Sequence, residues 1–307
     1  TLRLNRPDWR VIESDVREVN GREFSGVDLL AGGVPCPPFS VAGKQLGEND
    51  ERDLFPEAIR LVKEIQPRAV MLENVPGFAS EKFADYRAEL FRKLHLLGYV
   101  PSAKVLQAAD FGVPQLRPRF ILVAVREKYF PYLDWNFVPQ RRITVGQTLF
   151  DLMSANGWPG AAAWAKKANN VAPTLVGGSK KHGGPDLVPT RARSAWAALG
   201  VDGMGLAEEA PHKTFARDGM PRLTVRMTAR IQGFPDDWNF YEKKTAAYRQ
   251  VGNAFPPPVS HFVGNMICAA LVKGDSSAIY QQEHHIAKTV LCETVKGKSY
   301  GEKKKGY

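Results

Sequence analysis

The stretch from residue 27 to residue 74 constrains the fold of this 307-residue chain more than any other. It begins with a short apolar run at 27–30 (VDLL). Apolar residues then recur at Leu54, Ala58, Leu61, Val62 and Ile65, and a second apolar run follows at 69–72 (AVML). The two runs have the length of buried strands. The segment between them has the period of an amphipathic helix, and Pro67 closes it. A strand, a helix and a strand in that order favour two parallel neighbours in one sheet, with the helix crossing over between them. The alternation extends along the first 130 residues: 10–12 (RVI) reads as another short strand, 83–97 as a second amphipathic helix stopped by Gly98, and 120–125 (FILVAV) as a further buried strand. The predicted class is α/β with a parallel, doubly wound sheet.

Ligands of open α/β sheets gather at the carboxyl ends of the strands, so the residues following each run are the first functional candidates. After 27–30 come Gly32-Gly33-Val34-Pro35-Cys36-Pro37, a turn that presents a cysteine between two prolines. A free cysteine is more often a small buried hydrophobe, but this one is held on a stiff, irregular backbone. After 69–72 come Glu73 and Asn74. If the two strands are neighbours, Cys36 and Glu73 converge on one crevice, and a thiol with a carboxyl group suits nucleophilic addition with protonation of the acceptor. A third segment carries Gln115, Arg117 and Arg119 into a strand. Strand geometry points the two arginines the same way, and parallel guanidinium groups suit a phosphate, a carboxylate or a carbonyl oxygen, or form ion pairs. A fourth places Gly252-Asn253 just before a proline-led helix, where a polar ligand group could sit.

Beyond residue 128 periodicity fades, and the chain becomes rich in Gly, Pro, Trp and basic residues as far as 221. The expected organisation is a sheet domain at 1–130, a smaller irregular domain at 131–245 containing a short helix near 228–232, a helix at 246–274 returning to the first domain, and a solvated polar tail at 275–307. Lys and Arg number 42 against 32 Asp and Glu, a net charge of +10. That surplus suits a polyanionic partner such as nucleic acid, or plain solubility. The three cysteines, Cys36, Cys268 and Cys292, form no CxxC pair, which argues against a disulfide framework and a cysteine zinc site and fits a reducing compartment. No apolar run approaches the roughly 18 residues of a membrane span, and the N-terminus has no signal-peptide core.

Taken in order, these segments resemble the DNA cytosine-5 methyltransferase family. Pro35-Cys36 with Phe39 and Ser40 looks like its nucleophile motif, Glu73-Asn74-Val75 like its ENV motif, and Gln115-x-Arg117-x-Arg119 like its QxRxR motif. Residues 222–235 (RLTVRMTARIQGFP) resemble the segment that supports the recognition domain, and Gly252-Asn253 the final cofactor-side motif. The resemblance covers about residues 10–271. It implies a Rossmann-like class I S-adenosylmethionine-dependent methyltransferase domain with a smaller irregular target recognition domain. The implied reaction is methyl transfer from S-adenosylmethionine to C5 of a cytosine flipped out of double-stranded DNA at a specific sequence.

The resemblance also carries roles. Cys36 would add to C6, Glu73 hold N3 and the exocyclic amine, and Arg119 hold O2, while Asn74 and Arg117 shape the site. Asp15, Pro35, Leu54, Asn253 and Ala254 fall on the cofactor side. Ser40, Lys44 and Arg52, from a polar loop with Gly43 and Gly47, would contact DNA together with Arg222, Arg226 and Arg230. Lys180, Lys181, Arg191 and Arg193 are further phosphate candidates. The family's opening strand with its Phe-x-Gly-x-Gly turn and ribose-binding acid is not found here. The expectation is a missing N-terminal segment or a separate subunit that supplies it, with poor cofactor binding by this polypeptide alone. The setting expected is a bacterial or phage modification enzyme, cytoplasmic and nucleoid-associated, acting as a monomer on DNA and away from membranes. Three alternatives are a tRNA cytosine-5 methyltransferase, a non-catalytic DNA-binding relative or split subunit, and a thiol hydrolase. The first would show a Cys-Phe-Thr segment and the second would have lost the cysteine or the ENV glutamate. The third needs a histidine beside Cys36, whereas all six histidines lie at or beyond His95.

Overall fold

A computed structural model describes the backbone at residues 1–34, 53–177 and 190–298, and side chains at 1–34, 53–177 and 192–277. Its centre is a four-stranded sheet of β1 (Leu29–Gly33), β2 (Ala69–Asn74), β3 (Tyr99–Gln107) and β4 (Pro118–Arg126), in the order β1-β2-β4-β3. β1 and β2 are parallel, with Gly33 opposite Glu73. A single-turn helix, α1 (Leu2–Asn5), lies at the N-terminus. Between β1 and β2 runs α2 (Phe55–Ile65), which has Pro at its first turn, buries Phe55, Leu61, Val62 and Ile65, and ends at Gln66 in the left-handed region. Pro67 cannot continue that helix. α3 (Ala84–Leu96) follows β2 and stops before Gly98, whose φ of +81° needs no Cβ.

Two expectations about the sheet change, and one of its strands had not been expected. The sheet is mixed, because β4 runs antiparallel to both β2 and β3. The β3–β4 link spans only residues 108–117, too short for the helical crossover that parallel neighbours need. β3 itself has no clear signal in the sequence: YVPSAKVLQ alternates poorly and contains Pro101, which an edge strand tolerates. Residues 10–12 form no strand, since Ile12 is exposed and Arg10 turns to Glu23 at 3.1 Å, so the run has no ladder to join.

Alternate side chains of the central strands feed two cores. On one face Val70, Leu72, Phe120, Leu122 and Ala124 meet Phe55, Val62, Leu90 and Leu94 of α2 and α3. On the other, Ala69, Ile121, Val123 and Val125 meet Val259, Val263, Met266, Ile267 and Leu271. Burying each such aliphatic side chain contributes about 1.5–3 kcal/mol. The second set lies on α9 (Pro257–Lys298). This helix was expected to end near residue 274, with a solvated tail at 275–307. Its backbone instead continues to Lys298, and Asp275 is tied to Arg68, to Lys128 at 3.2 Å and to the Tyr129 hydroxyl at 3.0 Å.

A third core spans residues 145–251 and is largely helical where an irregular domain was expected. It comprises α4 (Val145–Ser154), α5 (Ala161–Lys167), α6 (Thr190–Ala198), α7 (Val225–Ile231) and α8 (Lys244–Asn253). Thr144 and Thr224 cap α4 and α7 through their hydroxyls, and Trp158, Trp164 and Trp196 fill the interior. Among the described residues no single helix is long and apolar enough to cross a membrane.

Candidate active site at the carboxyl edge of the sheet

Because β1 and β2 are parallel neighbours, both deliver their final residues to one edge. The Val34 amide donates to the Glu73 carbonyl at 3.1 Å, and Asn74 Nδ2 donates to the Val34 carbonyl at 3.3 Å. Asn74 is buried, and its Oδ1 also accepts the Val75 amide at 2.8 Å, so this side chain fixes the exit of β1. A methyl group on Gly33 would lie only 3.3 Å from Glu73 Oε2, so the glycine lets the chain pass close to that carboxylate. Two residues beyond Val34 is Cys36.

Glu73 and Arg119 form a largely buried pair, Nε to Oε1 at 2.7 Å. The β2–β4 register explains it. Glu73 lies opposite Ile121, so Arg119, two residues earlier on β4, projects from the same face. Burial pushes the Glu73 carboxyl above the usual carboxylate range, against the opposing pull of Arg119 and then Arg117. The edge therefore holds a largely buried carboxyl group, its proton affinity raised by burial, beside the guanidinium of Arg119.

The expected pair of parallel guanidinium groups is not formed. Arg117 is 1% exposed and turns to main-chain carbonyls: Leu175 at 2.7 Å, Gly252 at 2.7 Å and Ala254 at 3.1 Å. Arg117 precedes the first residue of β4, so strand alternation does not set its direction, and the main-chain carbonyls around it do. Gln115 is also fully buried. Its Oε1 accepts the Leu175 amide at 2.8 Å, and its Nε2 donates to Gln232 Oε1 at 2.7 Å. The backbones of Gly177 and Gly252 are in van der Waals contact, with a methyl group on Gly252 colliding with Gly177 Cα and N. Sequence reasoning did not single out Gly177, and it placed Gln232 within the 222–235 segment without giving it a role. Their only signals are a Gly-Gly pair after the apolar stretch at 175–176 and a polar residue closing a helix.

Of the cofactor-side candidates, Asn253 is exposed at the end of α8, and the Ala254 carbonyl is held from inside. Leu54 is half-buried at the start of α2. Asp15 is exposed, accepts the Arg17 amide at 2.9 Å and its guanidinium at 3.1 Å, and is held below the usual carboxylate range chiefly by that amide. Pro35, Cys36, Ser40, Lys44, Arg52, Lys180 and Lys181 lie outside the described residues, as does the side chain of Arg191, and Arg193 is exposed. The three arginines expected to reach DNA are engaged internally: Arg222 with Asp202 at 2.8 Å, Arg226 with the carbonyls of Pro235 (2.9 Å) and Trp238, and Arg230 with Asp151 at 2.6 Å and with Asp236. Each braces the helical unit, and none presents an unengaged guanidinium. A cavity of about 590 Å³ in that unit, lined by Asp202, Glu208, His212, Phe215 and Arg222 among others, borders neither Glu73 nor Arg119.

The family profile described as C-5 cytosine-specific DNA methylase matches residues 1–269. The chain is 55% identical over 277 residues to the Type II methyltransferase M.NgoMIV of Neisseria gonorrhoeae, covering 89% of this chain and 87% of that protein. It is 54% identical over 275 residues to M.NaeI of Lentzea aerocolonigenes, covering 88% and 67%. In fold it resembles a putative DNA modification methyltransferase of an E. coli prophage, with a TM-score of 0.55 at 24% identity over 85% of this chain and 86% of that one. It also resembles the Entamoeba histolytica methyltransferase EhMeth, with a TM-score of 0.58 at 13% identity over 86% and 84%.

Proposed function

Since the chain belongs to the C-5 cytosine-specific DNA methylase family, we propose that the edge carrying Glu73 and Arg119 receives a flipped cytosine and that Cys36 attacks its C6. The observation that carries this reading is the largely buried Glu73–Arg119 pair beside the exit of β1. Chain geometry tethers the Cα of Cys36 within about 7 Å of that of Val34, whose backbone is bonded to Glu73 and Asn74.

C5 of cytosine is a weak nucleophile. Adding the Cys36 thiolate to C6 makes C5 enamine-like, provided N3 is protonated or strongly hydrogen-bonded as electrons move toward it. A carboxyl group whose proton affinity burial has raised is suited to supply that proton. Arg119 neutralises charge developing along N3 and O2 and keeps Glu73 oriented. S-adenosylmethionine, the methyl donor of this family, supplies an electrophilic methyl group when bound. The exposed Asn253 amide, the pinned Ala254 turn and Leu54 at the start of α2 fit the cofactor side of this edge. Once C5 carries its new substituent, a water-borne base takes the C5 proton, the C6–S bond breaks with its electrons returning to the Cys36 thiolate, and N3 gives its proton back to Glu73, which restores the aromatic ring. The base must first leave the duplex, at a cost of a few kcal/mol in unstacking.

By the names of its relatives we assign the enzyme to a Type II modification system. The proposed setting is the bacterial cytoplasm, with the enzyme acting as a monomer on duplex DNA. Duplex DNA containing 5-fluorocytosine tests the chemistry, because fluorine at C5 cannot leave as a proton does. With S-adenosylmethionine the enzyme should form an adduct that survives denaturation, and Cys36→Ala should abolish it. An adduct that persists in Cys36→Ala, or one formed with tRNA and not with DNA, overturns the assignment.

A further inference from the structure

Gln232 is fully buried at the end of α7, where an amide costs free energy unless its hydrogen bonds are made. Its hydrogen bonds form a chain with one consistent direction. Gln115 Oε1 accepts the Leu175 amide, so Gln115 Nε2 is the donor to Gln232 Oε1 at 2.7 Å. Gln232 Nε2 is then left to donate, and it meets the Ala254 carbonyl at 2.6 Å. That carbonyl also accepts from Arg117 at 3.1 Å, so two side chains rooted in different segments hold one oxygen. The next residue adds a steric stop. Gly233 has φ of +88°, and a methyl group there would lie 2.7 Å from Pro258 Cδ, so the end of α7 presses on the start of α9. The turn between α8 and α9, which carries Asn253 and Ala254, is boxed from both sides.

We propose that Gln232 is a positioning residue for the cofactor: it sets the Asn253–Ala254 turn against the lead-in to β4, the strand that bears Arg119. The proposal rests on the cofactor-side reading of Asn253 and Ala254. The described side-chain hydrogen bonds of Gln232 go to Gln115 and Ala254, and none goes to Glu73 or Arg119. Its loss should therefore loosen the cofactor side and spare the cytosine side.

The test uses the full-length enzyme with Gln232→Met, which keeps length and loses both hydrogen bonds, and Gln232→Asn, which keeps the amide and falls one methylene short. Active enzyme is counted in each preparation by adduct formation with 5-fluorocytosine DNA, so partial misfolding does not enter the kinetic constants. Both variants should raise the KM for S-adenosylmethionine about tenfold, with kcat and the KM for DNA within about twofold of wild type. A purely structural role would move all three constants or none. The proposal is overturned if a folded variant keeps its KM for S-adenosylmethionine, or if all three constants deteriorate together. Asn253→Ala separates the two levels. If it leaves cofactor KM unchanged, the cofactor-side reading fails and the proposal with it. If it raises KM while both Gln232 variants do not, only the positioning role fails.

Discussion

At Glu73 burial and charge oppose each other, and Glu73→Gln asks which prevails. The side chains of Glu73 and Arg119 are 14% and 12% exposed and meet at 2.7 Å. Two unit charges about 4 Å apart at an effective dielectric near 20 attract by roughly 4 kcal/mol, and removing each from water costs several kcal/mol. The Glu73 carboxyl lies above its ordinary range with burial as the leading cause, so desolvation exceeds the attraction. The sign follows. A carboxyl whose folded pKa is raised contributes stability that is full below its unfolded pKa and is lost as pH rises through the folded one. An amide in its place does not titrate, so Glu73→Gln should gain on wild type through that window: equal near about pH 4.5, and as stable or up to about 2 kcal/mol more stable near pH 8. Arg119→Met withdraws the compensation instead and should cost about 3–5 kcal/mol near pH 8, with the deficit shrinking as pH falls. Urea midpoints at both pH values, with unchanged m, measure this. Activity should move the other way, Glu73→Gln losing about 10²–10⁴-fold in methyl transfer while staying folded. A loss of more than about 2 kcal/mol by Glu73→Gln near pH 8 would refute the reasoning, because the ion pair would then outweigh burial.

Two further outcomes follow from the packing. Gly252→Ala drives a methyl group into the Gly177 backbone, which has no flexible end to yield, and should cost about 2–3 kcal/mol and lower activity. An unfolding midpoint equal to wild type would mean the two backbones are not in contact. Arg230→Met should cost about 0.5–1.5 kcal/mol, discounted because its aspartate partners are more than half exposed. It should also leave the slope of log K for DNA against log salt unchanged, whereas a drop of about 0.9 would make Arg230 a phosphate contact.

The parts of the fold legible in the sequence are those where one physical rule acts alone. The helical period at 54–65, closed by Pro67, returned α2 almost residue for residue, and the apolar run at 69–72 returned β2 with Glu73 and Asn74 at its end. Rules that depend on a partner were illegible. β3 is a strand because β4 lies beside it, as its own alternation is poor and Pro101 interrupts it. The antiparallel setting of β4 follows from the length of a link rather than from any residue in the strand. In the 145–251 unit, Trp158, Trp164 and Trp196 make a core from helices of 7–10 residues, each too short to show a convincing period amid Gly and Pro.

The arginines show the same limit at the site. The spacing predicts that Arg117 and Arg119 leave one face, but β4 begins at Pro118, so strand alternation governs Arg119 and not Arg117, and charge alone does not separate them. What separates them is the surroundings at the guanidinium. Arg119 ends on the Glu73 carboxylate at the carboxyl edge of the sheet, with both side chains retaining some exposure. Arg117 ends on carbonyls of Leu175, Gly252 and Ala254, which belong to segments about 60 and 135 residues further along the chain. Those carbonyls are orphaned where α8 and the 172–177 segment end, and buried orphans must find donors. A guanidinium satisfies several at once, which a lysine at 117 could not do with the same planar geometry. One arginine is thus committed to joining the helical unit and the α8–α9 turn to β4, while the other stays paired with Glu73 at the carboxyl edge of the sheet.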